Sequence, residues 1–280
     1  MKRRTIASVL ALASATGLPL AAGGCKSTTP ESKPSSLANA AETWCPVAFE
    51  PGPLDTCFGI PDQTTKDTPV LVYLHGMYRG HGSPEEWAAL GIARQRGFAV
   101  VVPRGKRGLC AWRAELKDHY CWPQDPEDTQ AIESVVAEWD RVLWQVDALL
   151  ESGTHKRFVL GSSNGGVFAS FLATSSVFPG EAYAIVNGGP MGAPPDKART
   201  ATPVLLVAGQ DAAEAMASTK ELHEALTKAA WPHGFCPRGG GASLTNEDVE
   251  AAVRFFKQAA DGSLKPQNGA YTCDGSSARR

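Results

Sequence analysis

The sixteen residues from 157 to 172, Arg-Phe-Val-Leu-Gly-Ser-Ser-Asn-Gly-Gly-Val-Phe-Ala-Ser-Phe-Leu, restrict what this chain can fold into more than any other stretch. They begin as a short apolar run suited to a buried strand. They tighten through Gly-Ser-Ser-Asn-Gly and reopen as a helix with Val167, Phe168, Phe171 and Leu172 on one face. Gly161 and Gly165 stand two residues either side of Ser163. A serine on so sharp a strand-to-helix turn sits in a strained backbone conformation, and only residues without a Cβ fit beside it. The same turn aims the first free N–H groups of the helix at the serine, where an oxyanion would form.

Other short apolar runs repeat the strand pattern at residues 69–74, 98–102, 182–186 and 202–208. Helical periodicity separates them. Ser83-Pro84-Glu85-Glu86 is a capping box with proline at the first helical position, opening a helix with Trp87, Leu90 and Ile92 that Gly97 stops. Residues 128–152 form a long amphipathic helix with Ile132, Val135, Val136, Trp139, Leu143, Trp144 and Val146 toward the sheet. A helix begins near Ala213 and carries His223 mid-helix as a surface residue. The last runs from Asn246 to about Gln258 with Val249, Ala252, Val253, Phe255 and Phe256 inward. Strands and helices alternating at this spacing imply right-handed βαβ units and a mostly parallel, doubly wound α/β sheet with helices on both faces.

The 280 residues, 43% apolar, suffice for one sizeable core, and a formal charge of −2 gives no hint of a nucleic-acid or anionic-membrane surface. The N-terminus is a targeting segment: Lys2-Arg3-Arg4 precede an apolar stretch from 5 to 21, then Ala22-Gly23-Gly24 and Cys25. This resembles a bacterial lipoprotein signal, residues 1–24, which implies lipidation of Cys25 and a protein exported to the cell envelope and anchored by its lipid. Plain secretion or periplasmic release is the alternative. Residues 25–43 then read as a flexible tether, 44–262 as the folded domain and 263–280 as a tail, disordered except where Cys273 ties it back.

Without Cys25, six cysteines remain, an even number that suggests disulfides in an exported chain. Fifteen pairings are possible. Joining neighbours, Cys45–Cys57, Cys110–Cys121 and Cys236–Cys273, is the simplest proposal. No C-x-x-C or H-x-x-x-H spacing points to a metal. Residues 44–61, with a Pro-Gly-Pro turn, read as a disulfide-pinned hairpin at the sheet edge. Residues 106–125 form a long loop whose Trp112, His119, Tyr120 and Trp122 either line a substrate cleft or pack beneath a disulfide.

From about Thr68 to Lys257 the sequence resembles the α/β-hydrolase superfamily in its esterase, lipase and depolymerase branch. The motifs are Gly161-x-Ser163-x-Gly165, the His75-Gly76-Met77 turn after the first long strand, and Gly209-Gln210-Asp211 after the penultimate one. The resemblance implies that Ser163 is the nucleophile, that the amides of Met77 and Asn164 donate to the oxyanion, and that Asp211 steadies a histidine. Capping of the next helix is the other role open to Asp211. The His75 side chain is expected to bond to backbone. No cofactor is implied, and the substrate would be a small-molecule or polymer ester.

The pattern breaks at the base. The run Arg238-Gly239-Gly240-Gly241-Ala242-Ser243-Leu244 and the helix after it resemble the family's histidine loop, with Ala242 where the histidine usually stands. A strand of about six residues climbs roughly 20 Å, which puts His233 at its foot and position 242 at its top. His81 and His119, on loops at the upper edge, are better placed as substitutes, though neither occupies the usual slot. The chain is therefore either a serine hydrolase of weakened activity or a non-catalytic binding protein on the same frame.

Overall fold

Strand residues alternate between two faces of one sheet, and both faces need cover because nearly every one is apolar. A computed structural model describes residues 44–110, 112–150, 155–193, 202–266 and 270–273. Its strands in chain order are β1 (Glu50–Pro51), β2 (Thr56–Gly59), β3 (Val70–Leu74), β4 (Ala99–Pro103), β5 (Lys106–Arg107), β6 (Tyr120–Cys121), β7 (Arg157–Ser162), β8 (Ala182–Val186), β9 (Val204–Gly209) and β10 (His233–Arg238). Eight form the main sheet in the order β1-β2-β4-β3-β7-β8-β9-β10, and β5 and β6 pair separately. The pairings from β4 to β10 are parallel, while β1 and β2 add an antiparallel edge.

Val70, Val72, Leu74 and Val159 face helices α2 (Thr129–Leu149), α3 (Asn164–Ser175) and α4 (Ala213–Lys228), against Ile132, Phe168 and Leu222. Leu71, Tyr73, Phe158 and Leu160 face the other way, against Leu90 of α1 (Pro84–Gln95) and Phe256 of α5 (Asn246–Asp261). Phe256 lies 5.0 Å from the ring of Phe158 and 6.3 Å from that of Phe98. At α1 Ser83 accepts from the Glu86 amide, but the Glu86 carboxyl accepts from the Tyr73 hydroxyl in place of closing the expected box, while at α5 Thr245 and Asp248 form a reciprocal capping box.

The order of the strands places the site. After β3 the chain crosses by α1 on one face to β4. It then crosses by α2 on the opposite face to β7, on the other side of β3. The exits of β3 and β7 are neighbours from which the chain departs in opposite directions, and such a divergence leaves a crevice at the carboxyl ends of the strands.

Three expectations need correction. Trp144 is 71% exposed and Val142 takes the buried position, because the inward stripe of α2 runs 132, 135, 136, 139, 142, 143, 146 and Trp144 falls one residue past it. His223 is not a plain surface residue: its ring stacks on Phe235 and its Nδ1 lies 2.7 Å from Nε2 of His233. The described residues after 260 are more ordered than expected. α5 continues to Asp261, the Tyr271 amide donates to the carbonyl of His233, and the buried Tyr271 ring meets Phe255 edge-on. Of the two readings open for Trp122, packing is the one observed: the side chain is fully buried.

The structure joins Cys45 to Cys57, Cys110 to Cys121 and Cys236 to Cys273, with Cα separations of 5.5, 5.8 and 5.3 Å. The first pins the β1–β2 hairpin, and the last returns the tail to β10. The signal, Cys25 and the tether lie outside the described residues. No described helix is long and apolar enough to cross a membrane.

Candidate active site

Ser163 stands between β7 and α3 at φ 53°, ψ −119°, a conformation that costs a non-glycine residue on the order of 1–3 kcal/mol and that the surroundings must hold. Its amide donates to the carbonyl of Val186, and its carbonyl accepts from Val167. The two flanking glycines are required by close approach. A Cβ on Gly161 would meet the Gly165 carbonyl oxygen at 2.3 Å, and one on Gly165 would meet that of Leu74 at 2.1 Å. A serine pushed into this turn therefore has no relaxed alternative.

The His75-Gly76-Met77 turn approaches from β3, and a Cβ on Gly76 would touch that of Ser163 at 3.4 Å. His75 itself is fully buried. Its Nε2 accepts from the Gly105 amide at 2.9 Å, so its Nδ1 carries the proton and donates to the Gly76 carbonyl. Burial, reinforced by the nearby Arg104 cation, pulls its pKa down to about 4 against the opposing backbone bond. This imidazole is neutral and occupied at both nitrogens, so it organises the turn and exchanges no proton there. Trp122 ties the two strand exits together: its amide donates to Oδ1 of Asn164 and its indole to the carbonyl of His75, both at 2.8 Å.

Ser163 opens onto a cleft of about 660 Å³, lined also by Met77, Asn164, Asn187, Ala242, Arg113, Gln124 and Glu214. Position 242 thus shares the cleft with the serine. Asp211 is exposed and braces the loop that carries Ala242. Its Oδ2 accepts from the Gly240 amide at 3.1 Å and its own amide donates to the Gly240 carbonyl at 3.0 Å. It does not cap α4, whose N-cap is Ala212 without a side-chain bond.

Three residues that hold this loop escaped the sequence reading. Asn187, at φ 52° after β8, donates from Nδ2 to the Ala242 carbonyl at 2.9 Å and accepts at Oδ1 from the Gly209 amide at 2.8 Å. Arg238 grips the buried Asp248 with two bonds and donates to the carbonyls of Gly239, Gly241 and Ser243. A paired guanidinium at the core of a glycine-rich loop fixes backbone that the sequence alone would leave free. The left-handed Asn187 at a strand end was the one signal available beforehand.

All six histidines are among the described residues, and none lines the cleft. His81 lies on a separate apolar groove with Trp44, Phe49 and Trp87. His119 sits in the β5–β6 loop. His155 bonds to the Thr68 carbonyl, and His223 and His233 pair at the opposite end of β10. No hydrogen bond reaches the Ser163 hydroxyl among the described residues. No group of three potential metal ligands converges there either.

This architecture is the α/β-hydrolase fold, and the cleft is its strand-exit crevice. Solved structures carry the same fold. Esterase PE8 superposes with a TM-score of 0.51 at 17% identity, covering 76% of this chain and 100% of that one. A carboxylesterase from Mesorhizobium loti gives 0.51 at 17% identity over 75% and 95% of the two chains. The Bacillus cereus carboxylesterase gives 0.50 at 20% identity over 73% and 93%. No protein-family model and no curated protein matches the sequence.

Proposed function

We propose that the protein is a serine hydrolase of carboxylic esters whose proton acceptor has been lost at Ala242, leaving slow turnover, on an exported lipoprotein anchored through Cys25. The observation that supports this most is the coincidence in one cleft of a strained Ser163 and an alanine held by Asp211, Asn187 and Arg238 in an otherwise organised loop.

The chemistry follows from the groups present. Oγ of Ser163 adds to the ester carbonyl carbon, and the charge moves to the carbonyl oxygen. The amides of Met77 and Asn164 are the donors for it. The tetrahedral centre then expels the alcohol, and water releases the acid from Ser163. In an intact triad a histidine takes the hydroxyl proton and returns it to the alcohol. Here solvent must do both. In protease triads, losing the histidine lowers turnover by about 10⁶, while oxyanion donors and binding retain about 10³–10⁴ over water.

The test is labelling with a fluorophosphonate. Ser163 is expected to react slowly, and Ser163→Ala to remove the label. An unlabelled protein that is nevertheless stabilised by ester analogues would instead fit the second hypothesis, a non-catalytic binding or scaffold lipoprotein. Release of the protein from membranes by Cys25→Ala tests the anchor; a protein soluble without that change is secreted or periplasmic.

A further inference from the structure

We infer that the cleft contains a carboxylate-binding subsite beside Ser163, formed by the side-chain amides of Asn164 and Gln124 with the guanidinium of Arg113. The inference rests on reading this cleft as the binding site, and it names the class of ligand the site takes: an ester, or an unreactive ligand, bearing a free carboxylate.

Two unpaired donors carry it. Asn164 is 95% buried, its exposure being only 5%. Its Oδ1 accepts from the Trp122 amide, which can only donate, so the other branch is the NH₂ group. That Nδ2 is buried and bonds to nothing among the described residues. Gln124 lines the same cleft, and its Nε2 is likewise buried without a partner. A buried amide donor without an acceptor is costly, so two of them on one cleft call for an acceptor.

The charge nearby selects the acceptor. Arg113, from the β5–β6 loop, lines the same cleft as Gln124, which follows β6, and makes no ion pair among the described residues. Glu214, at the start of α4, is the one acidic residue among those lining the cleft. An anion is therefore drawn towards Arg113 and repelled by Glu214. Arginine and amide donors together match the several lone pairs of a carboxylate, and charge-assisted bonds are about twice as strong as neutral ones. These groups are distinct from the Met77 and Asn164 backbone amides assigned to the reacting carbonyl.

The test compares succinamate, which has one carboxylate and one amide in place of the ester, with uncharged succinamide. Binding to the full chain is followed by thermal shift and by titration calorimetry. Succinamate is expected to stabilise saturably and succinamide not. Arg113→Gln, at an exposed position, is expected to weaken succinamate about tenfold, and Gln124→Glu to abolish binding by opposing the anion. Equal responses to the two compounds, or succinamate binding unaffected by both substitutions, would overturn the subsite; the amides would then hold water alone. Fluorophosphonate labelling, measured alongside, separates the two claims. Labelling without succinamate binding removes only the subsite, and succinamate binding without labelling removes only the hydrolysis.

Discussion

The side chain of Asn187 donates from Nδ2 to the carbonyl of Ala242 at 2.9 Å while its Oδ1 accepts from the amide of Gly209. One residue after β8 thus links the loop that carries Ala242 to the turn that carries Asp211. It does so from a left-handed backbone that asparagine tolerates better than most residues. The loop around Ala242 is thus held by side chains from elsewhere in the fold.

That linkage predicts the effect of Asn187→Ala. The change removes both bonds, orphans a buried amide and puts alanine at φ 52°. The expected loss is about 1–3 kcal/mol of unfolding free energy, measured by guanidinium titration. A change within about 0.5 kcal/mol would mean that the loop does not depend on this side chain.

Gly165 and Gly239 make a matched pair. A methyl group on Gly165 drives into the Leu74 and His75 carbonyls, and no flexible side chain is there to yield. A Cβ on Gly239 meets nothing within 4 Å. Gly165→Ala is expected to destabilise by about 3 kcal/mol or more, or to prevent soluble expression. Gly239→Ala should stay within about 0.5 kcal/mol. Similar melting temperatures for both would contradict the geometry of the turn.

Stability should depend on pH through Glu86. Burial pushes its carboxyl up to about 7, where it accepts from the hydroxyl of Tyr73. The unfolded chain releases this proton near 4.5 and the folded protein near 7. The folded state therefore binds the extra proton between those values. The stabilisation is complete below about 4.5 and is lost as pH rises through 7. His75 acts oppositely: with its pKa near 4 when folded against 6.5 unfolded, stability rises over that window and is level above it. Glu86→Gln removes only the first effect. Relative to the unsubstituted protein it should gain on the order of 3 kcal/mol between pH 5 and pH 8. A difference between the two proteins that does not vary with pH would refute the assignment.

Much of this fold is legible in local pattern. The strand at Ala182–Val186 follows from a short apolar run bounded by turn residues, and the six-residue last strand, His233–Arg238, from the climb needed to bring the chain up to position 242. The Ser163 turn follows from two glycines at fixed spacing. What was hidden depends on partners far along the chain. Asn187 bonds to a residue 55 positions away, and Trp122 to one 42 positions away. His223 looked exposed because mid-helix position says nothing of Phe235 and His233 on a neighbouring strand. Trp144 misled for the opposite reason: its size suggested core, while one step of helical phase turned it to solvent.

Hydrolysis of p-nitrophenyl butyrate by the unsubstituted protein and by Ala242→His tests the central claim most directly. With Ser163 on its turn and the loop held by Asp211, Asn187 and Arg238, an imidazole at 242 should raise kcat/KM by about 10²-fold or more, part of the roughly 10⁶ that a triad histidine provides. An unsubstituted protein that already turns over at ordinary esterase rates, with no gain from the histidine, would show that another group takes the proton and that position 242 is not the vacant place.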